Sequence, residues 1–101
     1  MSRPHVSVPR QQLADFCRRW KVTELSFFGS VMRDDFRPDS DVDVLVTFAS
    51  NADWSLFDLV TMQDELASMF HRKVDLLEEA ALRNPYRRST ILQSKHILYA
   101  A

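Results

Sequence analysis

A chain of 101 residues has room for one domain and little for a second, so residues 1–101 are read as a single unit. Apolar residues at 46%, among them seven Phe and two Trp, suffice for a core, and 27% charged residues give an ordinary globular surface. A formal net charge of −1 excludes polyanion binding by bulk electrostatics, so direct nucleic-acid binding is not expected and any phosphate must meet a local site or a metal ion. Cys17, the single cysteine, rules out an internal disulfide and a cysteine-built metal centre and fits a reducing compartment. No apolar run approaches the roughly 18 residues of a membrane span, and the N-terminus lacks a signal-peptide core, so a cytoplasmic protein with no membrane contact is expected.

Residues 1–7 lack periodicity and read as a loose arm. Pro9 suits a first helical turn, and Leu13, Phe16, Cys17 and Trp20 then recur at helical spacing, which predicts a helix over 9–20. Residues 22–28, rich in strand formers, stop at Gly29; Ser30 can cap a short helix over 31–35, and Arg37 to Ser40 read as a turn. Residues 41–48 alternate, with Val42, Val44, Val46 and Phe48 on one side and Asp41, Asp43, Leu45 and Thr47 on the other.

Ser55 and Asp58 spell a capping box that opens a helix to about residue 70, with Leu56, Leu59, Val60, Leu66, Met69 and Phe70 as its buried stripe. Residues 73–78 form a third strand, after which Glu78 and Glu79 are expected to have left it. Asn84-Pro85 starts a last helix, and residues 96–99 close the chain as a short strand. Alternating helices and strands predict an α/β (α+β) fold: a small mixed sheet of about four strands with helices packed on it.

The chemistry concentrates between residues 29 and 43. Asp41 and Asp43, two apart on a strand, project from the same face about 7 Å apart and opposite a row of apolar side chains. They repel unless a cation lies between them, and magnesium takes oxygen ligands, typically one or two carboxylates plus substrate phosphates. Gly29 is the only glycine, against an average usage of about 7%, and comes where the backbone can approach a phosphate; Ser30 and the helix after it aim N–H groups and a hydroxyl at an anion. A lone Gly-Ser or a lone Asp-x-Asp is uninformative. The two together at strand ends are specific.

The spacing Gly29-Ser30, ten residues, Asp41-Val42-Asp43, with Arg33 and Ser40 in the extended pattern, resembles the DNA polymerase beta-type nucleotidyltransferase superfamily, and within it the minimal nucleotidyltransferases. The resemblance covers nearly the whole chain. It implies a nucleotidyltransferase fold with magnesium held by Asp41 and Asp43, and with a third carboxylate on a later strand. Asp75, an isolated acid between Val74 and Leu76, fits that position; the resemblance makes it the general base and a third metal ligand. The alternatives for Asp75 are a solvent-facing strand-edge acid or a partner of Arg72 or Lys73.

Gly29, Ser30 and Arg33 become the nucleotide-binding residues, although Arg33 fits a brace to Asp34, Asp35 or Asp39 equally well. Arg83, Arg87 and Arg88 read as a solvated or partner-facing surface. Phe27 and Phe28 read as core, and His5, His71 and His96 lack metal-ligand spacing.

A chain this short has little left for recognising an acceptor, which implies a substrate that brings its own surface. The resemblance implies an antitoxin that moves AMP from ATP, with magnesium, onto a tyrosine of a cognate HEPN-type ribonuclease toxin. Two other readings remain at this point. One is a binding protein that neutralises its partner by occlusion, using apolar residues such as Trp54 and Phe57. The other is a small-molecule nucleotidyltransferase, which the lack of room for a second domain disfavours.

Overall fold

The computed structural model of the protein describes residues 8–29 and 41–101. The expected arm over 1–7, the helix over 31–35, the following turn, and Ser30, Arg33 and Ser40 lie outside the described residues. Three helices, α1 (Arg10–Arg19), α2 (Leu56–Phe70) and α3 (Pro85–Ser94), and four strands, β1 (Val22–Phe28), β2 (Val42–Phe48), β3 (Val74–Glu78) and β4 (His96–Ala100), make up the described fold. The strands form one mixed sheet in the order β3-β2-β1-β4; β1 runs antiparallel to both β2 and β4, and β2 runs parallel to β3. The predicted fold class stands.

Local chemistry sets several boundaries. Ser55 caps α2, its hydroxyl accepting from the Asp58 N–H while the Asp58 carboxylate accepts from the Ser55 N–H, so both halves of the capping box form. His71 ends α2 in the left-handed region at φ 56°, a role its sequence context did not suggest. The Asn84 side chain accepts from the N–H groups of Tyr86 and Arg87, and Pro85 occupies the first turn of α3, where it forfeits no hydrogen bond.

The main core lies between the sheet and the helices α1 and α2. It joins Leu13, Phe16 and Cys17 of α1 to Leu25, Phe27, Val42, Val44 and Val46 of the sheet and to Met62, Leu66 and Phe70 of α2. Burial of side chains the size of Leu66 or Met62 contributes about 1.5–3 kcal/mol each. Burial also pushes the Cys17 thiol up to about 12, so it stays protonated and unreactive in the folded protein.

The buried stripe of α2 differs from the expected one. Leu59, Met62, Leu66 and Phe70 face the core, whereas Leu56 is 75% exposed and Val60 50% exposed. Val60 lies about 100° round the helix from Leu59, and Leu56 sits in the first turn, clear of the inward stripe. Trp54 is likewise no free interface residue: its ring meets Trp20 edge-on at 5.1 Å and its indole N–H donates to the Trp20 carbonyl at 2.9 Å.

The second face of the sheet is covered as well. Phe28, Leu45, Leu82 and Ile91 form a smaller core there, with Leu77 and Leu92 packed against it. Leu45 is only 1% exposed, so β2 is not apolar on one side and open on the other. The two residues Phe27 and Phe28 are both core, one in each cluster.

A single 3-10 turn, Glu79–Ala81, follows β3 directly, and Glu78 remains the last residue of the strand, paired with Val46. Only Glu79 has left it. Its carboxylate accepts from the Thr47 hydroxyl and pairs with Arg88 at 3.0 Å, so Arg88 braces α3 to the sheet and is not part of a solvated arginine cluster.

Candidate active site

β1 delivers the chain to Gly29, which takes φ +72°, in the left-handed region that glycine alone enters without strain. A Cβ placed there would lie 2.5 Å from Asp43 Oδ2 and 3.4 Å from Asp43 Cγ. The only glycine of the chain therefore stands where the backbone is pressed against a carboxylate, and any larger residue forces that carboxylate to move. From the sequence a phosphate is expected to approach Gly29; the group Gly29 accommodates here is the Asp43 carboxylate.

Asp43 sits opposite Phe28 in the β1–β2 ladder and opposite Asp75 in the β2–β3 ladder. Neighbouring strands lie about 4.8 Å apart, so in-register residues share a face and are close neighbours. Asp41 comes immediately before β2, two residues from Asp43 and on the same side by alternation. Gly29, Asp43 and Asp75 thus follow one another across three strands, with Asp41 beside them. Asp41 and Asp75 are exposed and Asp43 is half-buried.

The position of this row on its face limits what it can do. Two residues further along, Leu45 and Leu77 pass into the smaller core beneath α3. Among the described residues, Asp41 and Asp75 are exposed at the end of a face whose middle is the smaller apolar core. One side of a substrate can rest against them while water reaches the other.

Asp75 lies on an edge strand and is exposed, and none of the ion pairs found among the described residues is made with it. That removes pairing with Arg72 or Lys73 as an account of its presence. Glu79, engaged with Thr47 and Arg88, is not available as a substitute.

Among the described residues, no three or more His, Cys, Asp or Glu side chains converge on one point to enclose a metal. The donor chemistry nevertheless fits magnesium, because Asp43 and Asp75 offer hard oxygen ligands on adjacent strands. Magnesium commonly takes one or two carboxylates and draws its other ligands from phosphate and water. Ser30 and Arg33, expected to meet the nucleotide, lie outside the described residues.

Among the described residues no helix is long and apolar enough to cross a membrane. Comparison with known proteins gives a consistent result. The nucleotidyltransferase domain family matches residues 9–98. MJ0128 of Methanocaldococcus jannaschii, assigned by name to the protein adenylyltransferases, is 34% identical over 73 residues, 72% of each chain. The protein adenylyltransferase MntA of Thermococcus cleftensis is 28% identical over 79 residues, 78% of each chain.

Among solved structures, one assigned as a minimal nucleotidyltransferase superposes with a TM-score of 0.69 at 30% identity over 85% of both chains. A toxin-antitoxin complex with AMP-PNP gives a TM-score of 0.72 at 18% identity, over 93% of this chain and 75% of the other. A complex of the tri-AMPylated Shewanella oneidensis HEPN toxin with its minimal nucleotidyltransferase antitoxin gives 0.63 at 17% identity, over 91% and 70%. At those identities the last two establish the fold alone. With the family model spanning residues 9–98 and a relative 34% identical over 72% of the chain, the chain belongs to the nucleotidyltransferase domain family.

Proposed function

We propose that the protein transfers AMP from ATP to a tyrosine of a cognate HEPN-type ribonuclease toxin and so acts in the cytoplasm as a type VII-like antitoxin, working as a single domain. The observation that carries this reading is the in-register pair Asp43–Asp75 with Gly29 pressed against Asp43. The relatives named protein adenylyltransferase support it, as do solved relatives of the same fold that stand beside a HEPN toxin.

In this reading Asp41 and Asp43 would hold magnesium, Asp75, which does not converge with them into a three-carboxylate site, would serve as the base, and Gly29, Ser30 and Arg33 would meet the triphosphate. The metal, when bound, neutralises charge that develops on the phosphates. Asp75 accepts the proton of the tyrosine hydroxyl. The phenolic oxygen forms a bond to the α-phosphorus, the bond from that phosphorus to the bridging oxygen breaks, and pyrophosphate leaves with the electron pair. Exposure of Asp41 and Asp75 among the described residues suits approach by a large protein acceptor. The apolar continuation of that face keeps bulk water to one side.

The test is incubation with the HEPN-type product of the neighbouring reading frame, ATP and magnesium, followed by intact mass. The toxin is expected to gain the mass of one or more AMP groups and to lose ribonuclease activity. An unmodified toxin that is folded and active overturns the reading. Neutralisation by occlusion is a second reading, favoured by the exposure of Phe57 (84%) beside Leu56 on α2. The double substitution Asp41→Asn with Asp43→Asn separates the two. Catalysis predicts a complex that still forms and a toxin that stays active, whereas occlusion predicts full neutralisation.

A further inference from the structure

Strand alternation brings one more charged side chain to the carboxylate face. Lys73 precedes β3, and its carbonyl accepts from the Val42 N–H at 2.8 Å, the hydrogen bond that opens the parallel ladder at the pair Val42–Val74. Val74 is buried in the main core, and by alternation Lys73 projects to the opposite face, the one that bears Asp75 two residues on. Asp41 precedes Val42 on β2 as Lys73 precedes Val74 on β3, so both stand at the same end of the ladder. Lys73 is exposed, and none of the ion pairs among the described residues engages its ammonium.

A triphosphate entering this face carries about four negative charges toward three carboxylates. Magnesium held by Asp41 and Asp43 would offset part of that repulsion, and a further cation beside Arg33 would offset more of the charge on the distal phosphates. An ammonium on a flexible stem of about 6 Å, with three donors, is suited to that task. We propose that Lys73 is a binding residue for the distal phosphates of the nucleotide, holding them in the bound state and holding the pyrophosphate once the bond to the α-phosphorus has broken. The assignment rests on the nucleotidyl-transfer reading above and extends it to a residue that reading does not use.

The test measures affinity for AMP-PNP and for AMP, each with magnesium, by titration calorimetry on the full chain and on Lys73→Met and Lys73→Arg. Lys73→Met is expected to weaken AMP-PNP about tenfold and AMP less than about twofold, because AMP lacks the phosphates the ammonium holds. Lys73→Arg is expected to restore most of the difference. Equal losses for both nucleotides, or no loss for either, overturn the assignment and leave the nucleotidyl-transfer reading intact. A wild-type chain that binds no AMP-PNP overturns both.

Discussion

The two faces of the sheet are built from the same four strands and differ in what they enclose. On one, α1 and α2 close a core of residues from every strand and both helices, with Val42, Val44 and Val46 fully buried at its centre. On the other, α3 and the turn before it contribute to a cluster of four buried residues, which among the described residues does not include Asp43 or Asp75. A strand face that is half covered can carry charge at its margin without stranding it in an apolar interior. The difference gives the larger apolar core to one face and the carboxylates of the proposed site to the other.

The largest expected effect tests the chemical face. Asp75→Asn removes the proposed base from an exposed position and should lower the turnover number for AMP transfer by roughly 10²–10⁴-fold with an unchanged thermal midpoint. A loss smaller than tenfold would detach Asp75 from the chemistry. Leu66→Ala tests the other face. It opens a cavity in the main core and should cost about 2–5 kcal/mol, lowering Tm by about 10 °C or more, while turnover per folded molecule holds at a temperature where the variant is native. A kinetic defect in fully folded Leu66→Ala would mean that the two faces are coupled.

The smallest effect sharpens the comparison within the site face. Ser26 is fully buried beside Leu45 in the β1–β2 ladder, and its hydroxyl has no hydrogen-bond partner among the described residues. An orphaned hydroxyl is itself a cost, so Ser26→Ala should be neutral or stabilising by up to about 1 kcal/mol in a denaturant titration. Destabilisation of that size would instead reveal a hydrogen bond to an ordered water.

Sequence reasoning located elements well wherever a local device sets the boundary. The reciprocal pair Ser55 and Asp58, the Asn84-Pro85 start and the halt at Gly29 each act within a few residues, and each appears where expected. It failed where the partner is remote. Leu56 and Val60 are as apolar as Leu59, and only the placement of α2 on the sheet decides which are covered. Leu45 alternates with valines and was read as pointing away from the core, but α3 supplies a second core that the β2 pattern cannot announce. Trp54 and Arg88 looked available for a partner because their neighbours within the fold, Trp20 and Glu79, are distant or uninformative in sequence.

At the site, Gly29, Asp43 and Asp75 could each be named from residue type and spacing. Their alignment across three strands needed the register, and the reason for Gly29, its pressure on Asp43, needed the coordinates.

Both tryptophans sit in one junction. Trp54 donates to the Trp20 carbonyl, and the Trp20 indole donates to Glu65 of α2, at the end of β2 about 17 Å from Asp43. Intrinsic emission from this protein therefore reports the docking of α1 and α2. Emission should change sharply when that layer loosens and stay silent while nucleotide exchanges at the proposed site. The molecule carries its own gauge of integrity, optically separate from its chemistry.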